Sequence, residues 1–275
     1  MMISIEYQNN KIKLSIGYLP SFIPTPLKLK IKSPISNKIV WESNKLNSNN
    51  WAMFPNVEIF DALVFDANDN LIFQKSWNVY EHGTSLYQQL YYYLKYLNKK
   101  GKNPKGVAIG THNGEFGEWV PSVIDNLTDA LLVEASKKQF KELEKNYKKF
   151  SNVKVLNSLI TGDGSDQVFW EGGRGYTNSI VKRVPDAQET EPLTSTILRS
   201  ININEIVNKD TDWLHLDTEG YDYTLLMSLE YLPKFIIFEY ENLLEEELQQ
   251  LKNYLIRKQY IIDNTNAVSW AAYKK

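Results

Sequence analysis

Cysteine is absent from all 275 residues, which excludes a disulfide framework, a thiolate metal centre and a cysteine nucleophile. Arginine is scarce as well: only four of the 31 basic residues are Arg, and against 33 acidic residues they leave a formal net charge of −2. A chain so balanced carries no overall field favouring nucleic acid or anionic lipid. No run of eighteen apolar residues occurs, and the opening stretch MMISIEYQNNKIKLSIGY alternates apolar with charged or polar residues. Neither a signal peptide nor a membrane span is expected, and the protein reads as soluble and cytoplasmic. Three motifs are also missing. Without GxGxxG, the Lys-Ser/Thr of a P-loop or HExxH, the chain lacks the marks of a Rossmann dinucleotide site, an ATPase and a zinc centre.

What is present is 43% hydrophobic content over a length that makes about two average domains. Residues 1–80 read as strands. Segments 11–17 and 27–32 alternate apolar with polar, 38–42 is short and β-rich, and 62–77 forms a hairpin about the Asn/Asp turn at 67–70. Clean alternation implies an antiparallel module, sandwich-like, with one wet face. From Ser85 the period changes: Leu86, Leu90, Tyr93, Leu94 and Leu97 recur at helical spacing, which predicts a helix packing an aromatic face on a sheet.

Strands and helices then alternate through residues 81–275. Strands are expected at 106–110, 130–134, 153–157, 213–217 and 235–239, with helices at 115–126, 137–150, 223–229 and 243–258. Segments 260–263 and 268–273 are too close for a helical crossover and should form a terminal antiparallel hairpin. This pattern specifies an α/β, doubly wound and mostly parallel sheet with helices on both faces.

In such a sheet ligands bind beyond the carboxyl ends of the strands. The first of those ends, VAIGTHNGEFGEWV, is a glycine loop that brings Gly110, Thr111, Asn113 and Gly114 within reach of a ligand, with His112 as a further candidate. The second, ALLVEAS, ends on Glu134, a carboxylate able to accept both hydrogens of a ribose diol. Asn157 and Ser158 close the third; they can meet an adenine edge or simply make a turn. In the fourth, WLHLDTEGYD, period two places Trp213, His215 and Asp217 on one face, and Glu219 follows at the turn. FIIFEYEN adds Glu239 in a similar position. A hard-ion site shared by Asp217, Glu219 and Glu239 is conceivable, but the reading expects no metal. Residues 162–200 form the expected substrate lid, where Arg174, Tyr176 and Asn178 sit among glycines.

These residues, in this order, resemble the FkbM family of S-adenosylmethionine-dependent methyltransferases over about residues 105–275. VAIGTHNGEFG resembles the family's nucleotide loop, LLVEAS its ribose-acid strand, and WLHLDTEGYDYTLL its Lys-Ile-Asp-x-Glu-Gly-Tyr-Glu signature. FIIFEYEN resembles the following strand, and GDGSDQVFW before GYTNSI the family's β-excursion between the third and fourth strands. The resemblance implies a class I methyltransferase fold of strand order 3-2-1-4-5-7-6. It also implies S-adenosyl-L-methionine as cofactor and methyl transfer to a hydroxyl of a sugar, glycan or glycosylated small molecule. It carries Gly110, Gly114 and Glu134 to cofactor binding and sets Asp217 and Glu219 near the transferred methyl. His215 or Asp217 is then the expected base, with Glu219 orienting the site.

The chain departs from the family at two positions: Ala108 replaces an acidic residue that helps hold the methionine part of the cofactor, and His215 replaces the signature Lys. Those departures motivate an alternative, a non-catalytic glycan-binding protein on a degenerate methyltransferase fold, with Trp41, Trp51, Phe54 and Trp77 of the first module available to stack on sugars. An NAD-dependent oxidoreductase is disfavoured by the missing GxGxxG. The expected partner is a small-molecule or glycan acceptor, with no nucleic acid; the sequence leaves the oligomeric state open.

Overall fold

The computed structural model describes residues 2–8, 11–18, 27–32, 39–46, 52–54, 59–65, 67–78, 86–115, 117–172, 178–181, 194–264 and 268–274. They fall into two compact units, Met1–Thr84 and Ser85–Lys275.

The first unit holds strands β1 (Met2–Gln8), β2 (Lys11–Tyr18), β3 (Leu27–Lys32), β4 (Ile39–Leu46), β5 (Ala52–Phe54), β6 (Ile59–Phe65) and β7 (Leu71–Asn78). They pair antiparallel in two sheets, ordered β1-β2-β5 and β4-β3-β6-β7. The expected hairpin is β6–β7, and in its turn Asp69 takes φ 64°, a left-handed conformation that a short polar side chain tolerates. Leu29 and Val64 face each other across β3 and β6, both fully buried. Strands β1 and β5 are additions to the expected set. Trp51 lies outside the described residues, and so do the side chains of Trp41, Phe54 and Trp77.

The second unit opens with α1 (Leu86–Lys99). Its buried stripe is leucine: Leu86, Leu90 and Leu94 are at most 1% exposed, while Tyr92 and Tyr96 are each 57% exposed. The expected aromatic face is therefore only partly used, by Tyr93, which stacks on Phe235 at 5.4 Å between centroids. After it come β8 (Lys105–Ile109), α2 (Val120–Ile124), β9 (Asp129–Glu134), α3 (Lys137–Tyr147) and β10 (Val153–Asn157). An excursion of four strands follows: β11 (Leu159–Thr161), β12 (Gln167–Glu171), β13 (Thr194–Leu198) and β14 (Ser200–Asn202). The chain then runs α4 (Ile203–Ile206), β15 (Trp213–Leu216), α5 (Asp222–Ser228), β16 (Phe235–Glu239), α6 (Glu245–Arg257), β17 (Ile261–Asp263) and β18 (Ser269–Tyr273).

Seven of these strands form one sheet in the order β10-β9-β8-β15-β16-β18-β17, which is 3-2-1-4-5-7-6 in chain order. All pairings are parallel except those of β18 with β16 and β17, the expected terminal hairpin. This is the class I methyltransferase arrangement. The apolar runs of β8, β15 and β16 suit a sheet covered on both faces. Val107, Ile109, Leu214, Leu216, Ile236 and Phe238 pack in one cluster with Leu225 and Leu226 of α5 and Leu251 and Leu255 of α6. The alternate residues of β15 supply the opposite face, where the Trp213 indole N–H donates to Thr128 Oγ1 at 2.9 Å.

Helix α2 is much shorter than the expected 115–126. Positive φ at His112 (48°), Gly114 (76°) and Gly117 (128°) holds residues 112–115 and 117–119 in turns and bends, and Pro121 then fits the first helical turn, where its missing N–H costs nothing. Among the described residues no helix is long and apolar enough to cross a membrane.

Candidate functional site

The carboxyl ends of β8, β9, β10 and β15 surround a cavity of about 500 Å³, within the roughly 300–1,000 Å³ typical of small-molecule sites. Its walls come from Gly110, Thr111 and His112 after β8, Glu134 and Ala135 after β9, and Ser158 after β10. Asp217, Thr218 and Glu219 close it below β15, and Phe169 with Asn178, Ser179 and Ile180 close it from the excursion.

Gly110 is where β8 turns into the loop. Its φ is +80°, and a Cβ there would lie 1.7 Å from the Asp217 carbonyl oxygen. Only glycine lets the first loop approach the end of β15 so closely. Thr111 is buried, and its N–H and hydroxyl both reach the Val133 carbonyl at 3.2 Å, fastening the loop to β9. Gly114 has a different use from the expected one: it lies off the cavity, and a Cβ would strike Tyr147 at 2.3 Å and Leu143 at 2.6 Å, so it admits α3 against the loop. Asn113 is likewise off the cavity, its Oδ1 accepting from the Glu115 N–H at 3.1 Å.

Glu134 is 6% exposed. One carboxylate oxygen accepts the His112 N–H at 2.8 Å and the other the Ser136 N–H at 2.7 Å. Each oxygen keeps a second lone pair, so the group retains capacity for two hydroxyl hydrogens. Burial raises its pKa to about 7, with the Glu171 charge adding to the rise and the backbone N–H donors opposing it. The sign follows from linkage: a carboxyl raised from about 4.5 to about 7 stabilises the fold fully below pH 4.5 and loses that contribution as pH climbs through 7. Thermal scans of wild type and Glu134→Gln from pH 4 to 8 should therefore show the wild type losing ground to the variant as pH rises. A constant gap would contradict the burial of this charge.

Ser158 lines the cavity, whereas Asn157 does not; its amide donates to the carbonyls of Glu134 at 2.8 Å and Ala135 at 3.1 Å, a structural tie. Asn178 lines the cavity, and its Oδ1 accepts the Gly172 N–H at 3.0 Å. Arg174 and Tyr176 lie outside the described residues.

Asp217, Glu219 and Glu239 converge, with one carboxylate oxygen from each inside 4.8 Å of the others. Asp217 is exposed, and the space it opens onto is the cavity; the protein packed round its other sides desolvates the carboxyl. Burial, then the charges of Glu239, Asp222, Glu219 and Glu118, push its carboxyl well above the usual carboxylate range. Glu219 holds φ 56°, a strained left-handed conformation for a non-glycine residue. The Asn242 amide donates to Glu219 at 3.0 Å and to Glu239 at 2.6 Å, and Asp222, fully buried, accepts from the Thr218 hydroxyl at 2.6 Å and backbone N–H at 3.1 Å. Sequence reasoning missed Asn242, Asp222, Ser179 and Phe169. The first two stand inside the motifs FIIFEYEN and WLHLDTEGYD, and the excursion pair inside GDGSDQVFW and GYTNSI, where no spacing singles them out.

His215 is the largest departure from expectation. It lies off the cavity, 3% exposed, and its Nε2 sits 2.8 Å from Glu118 Oε2, itself 7% exposed. His215 Nδ1 is buried with no hydrogen-bond partner among the described residues. A proton on Nε2 donates to Glu118, whereas a proton on Nδ1 is a buried donor with no partner among the described residues. Period two gives His215 and Asp217 the same face, but two residues along a strand is about 6.6 Å, enough to sink the imidazole into the sheet and leave only Asp217 at the mouth. Ala108 and His215 are direct partners in the β8–β15 ladder. The two positions that depart from the family resemblance are thus neighbours, and the second of them is bonded to Glu118.

No known protein-family model matches the chain, and no curated protein matches it. Among solved structures, precorrin-6y C5,15-methyltransferase from Geobacter metallireducens GS-15 is 13% identical, covering 68% of this chain and 89% of that one at a TM-score of 0.35. Human methyltransferase 10 domain containing protein is 13% identical, covering 70% and 82% at 0.39. M. capricolum TrmK, in complex with S-adenosylhomocysteine, is 14% identical, covering 67% and 68% at 0.36.

Proposed function

We propose that the second unit is an S-adenosylmethionine-dependent methyltransferase that acts on a hydroxyl of a sugar, glycan or glycosylated small molecule. The observation that carries the reading is the pairing, across one cavity, of a Gly110 loop pressed against β15 and a buried Glu134 with spare acceptor capacity. Glu134 suits the two hydroxyls of a ribose. Ala135, Leu159, Ile160 and Phe169 supply apolar wall for a purine. When bound, the cofactor supplies a methyl group on a sulfonium.

The chain's own residues then align an acceptor and remove one proton. Asp217 is the group for that proton, because it reaches the cavity and its raised pKa brings a carboxylate closer to the basicity a general base needs near neutral pH. Glu219 and Glu239, held by Asn242, keep the acidic side of the mouth in shape. His215, sequestered with Glu118, is assigned a structural part.

Transfer of isotope-labelled methyl from S-adenosylmethionine to a panel of free sugars, nucleotide sugars, glycans and glycosides tests the reading. A labelled O-methyl product is expected, and Asp217→Asn should lower kcat by about 10²–10⁴-fold while cofactor affinity stays in place. Cofactor binding with no transfer to any member, but measurable glycan affinity, would favour the non-catalytic alternative instead. Loss of cofactor affinity in Asp217→Asn with kcat unchanged would overturn the role given to Asp217.

A further inference from the structure

Ser179, which stands inside GYTNSI, is 2% exposed and ties together three parts of the cavity wall. Its backbone forms an antiparallel bridge with Trp170 of β12, the N–H donating at 3.0 Å and the carbonyl accepting at 2.8 Å. Its hydroxyl donates to the carbonyls of both Thr218 and Glu219, at 3.1 and 3.0 Å, and accepts the Val181 N–H at 3.0 Å. Thr218 and Glu219 belong to the turn where Glu219 (φ 56°) and Gly220 (φ 98°) are both left-handed. Two successive carbonyls converge on one hydroxyl proton there, so that proton bridges the strained, acid-bearing turn and the segment 178–181. That segment contributes Asn178, Ser179 and Ile180 to the cavity wall, next to Phe169.

We infer that Ser179 is a positioning residue of the cofactor site: its hydroxyl latches the strap 178–181 onto the Thr218–Glu219 turn, and the latched strap retains a nucleoside-bearing ligand in the cavity. The inference rests on the reading of the cavity as a cofactor site. Without the hydroxyl, the strap keeps its bridge to Trp170 but loses its hold on the β15 turn. The wall can then swing with the ribbon, and the ligand escapes faster. The ligand meets the strap wall only once it is inside the cavity, so association changes little.

Stopped-flow fluorescence with S-adenosylhomocysteine as probe, on the full chain, measures both rates. Ser179→Ala should raise the dissociation rate roughly three- to tenfold, the range that one net hydrogen bond supplies, with the association rate within about twofold of wild type. Ser179→Thr, which keeps the hydroxyl, should restore slow dissociation. Thr194→Ala, on the exposed strand β13 of the same ribbon, should leave both rates unchanged. As a second measurement on the wild type alone, amide hydrogen exchange should show Ser179 and Val181 gaining protection when S-adenosylhomocysteine is added. A Ser179→Ala variant that only melts earlier, with its dissociation rate unchanged, would overturn the inference, as would a strap whose exchange ignores the ligand. A folded wild type that does not bind the probe would instead overturn the reading of the cavity itself.

Discussion

Alanine in place of Gly110 should cost roughly 3 kcal/mol or more of folding stability and, in whatever remains folded, about a hundredfold in S-adenosylhomocysteine affinity. Two penalties act together. The residue holds φ +80°, where a Cβ is strained, and that Cβ would sit 1.7 Å from the Asp217 carbonyl oxygen and 2.7 Å from its carbon. Those atoms are backbone and cannot rotate away as a side-chain end would. Asp217 is moreover anchored to β8 by its N–H to the Ile109 carbonyl at 3.1 Å, so relief of the clash must open the β8–β15 junction. The glycine loop and the Asp217 turn would be displaced at once. Urea unfolding gives the first quantity and calorimetry the second; a variant as stable and as tight-binding as wild type would show that the loop and the turn do not meet as described.

The second large effect is expected from His215→Leu, at about 3–5 kcal/mol. The substitution leaves the Glu118 carboxylate, 7% exposed, with its imidazole partner removed. Truncating one partner of a buried pair is far costlier than replacing both by apolar groups. The double variant Glu118→Met/His215→Leu should therefore recover more than half of the loss, and urea midpoints of the four proteins complete the cycle. A single variant within about 1 kcal/mol of wild type would place the pair in water rather than in the core. If His215 were instead the base for proton removal, the double variant would regain stability and still be inert at saturating substrate. Here it should keep measurable transfer, because Asp217 remains.

The strands of the central sheet were open to reading because parallel strands buried on both faces are continuous apolar runs, and each of VAIG, LLVE, WLHL and FIIFE is one, while their order was legible only through the family resemblance. The residues at their carboxyl ends followed from topology: Gly110, Glu134, Ser158, Asp217 and Glu219 all reach one cavity. What periodicity could not tell was depth. His215 and Asp217 share a face, yet one is sealed beneath the loop by Glu118 and the other stands at the mouth. Gly114 looked like a ligand glycine, but its neighbour is Tyr147, 33 residues away, whose hydroxyl donates to the Gly114 carbonyl. Tertiary packing decided its use. Ser179 was silent for the same reason, since its partners Thr218 and Glu219 lie about 40 residues further on and only the folded excursion brings them together. In α1 the tyrosines drew attention while the leucine stripe did the packing.

Calorimetric titration of the full chain with S-adenosylhomocysteine, with NAD as control and Glu134→Ala alongside, tests the central claim most directly. The cavity described here should bind S-adenosylhomocysteine at a single site and leave NAD unbound. Glu134→Ala should weaken that binding about tenfold or more, as expected when two hydroxyls lose a charged acceptor. Affinity should also rise as pH passes through 7 in the wild type, where Glu134 ionises and becomes an acceptor only. A folded wild type that ignores S-adenosylhomocysteine, or that binds it equally well without Glu134, would contradict the account.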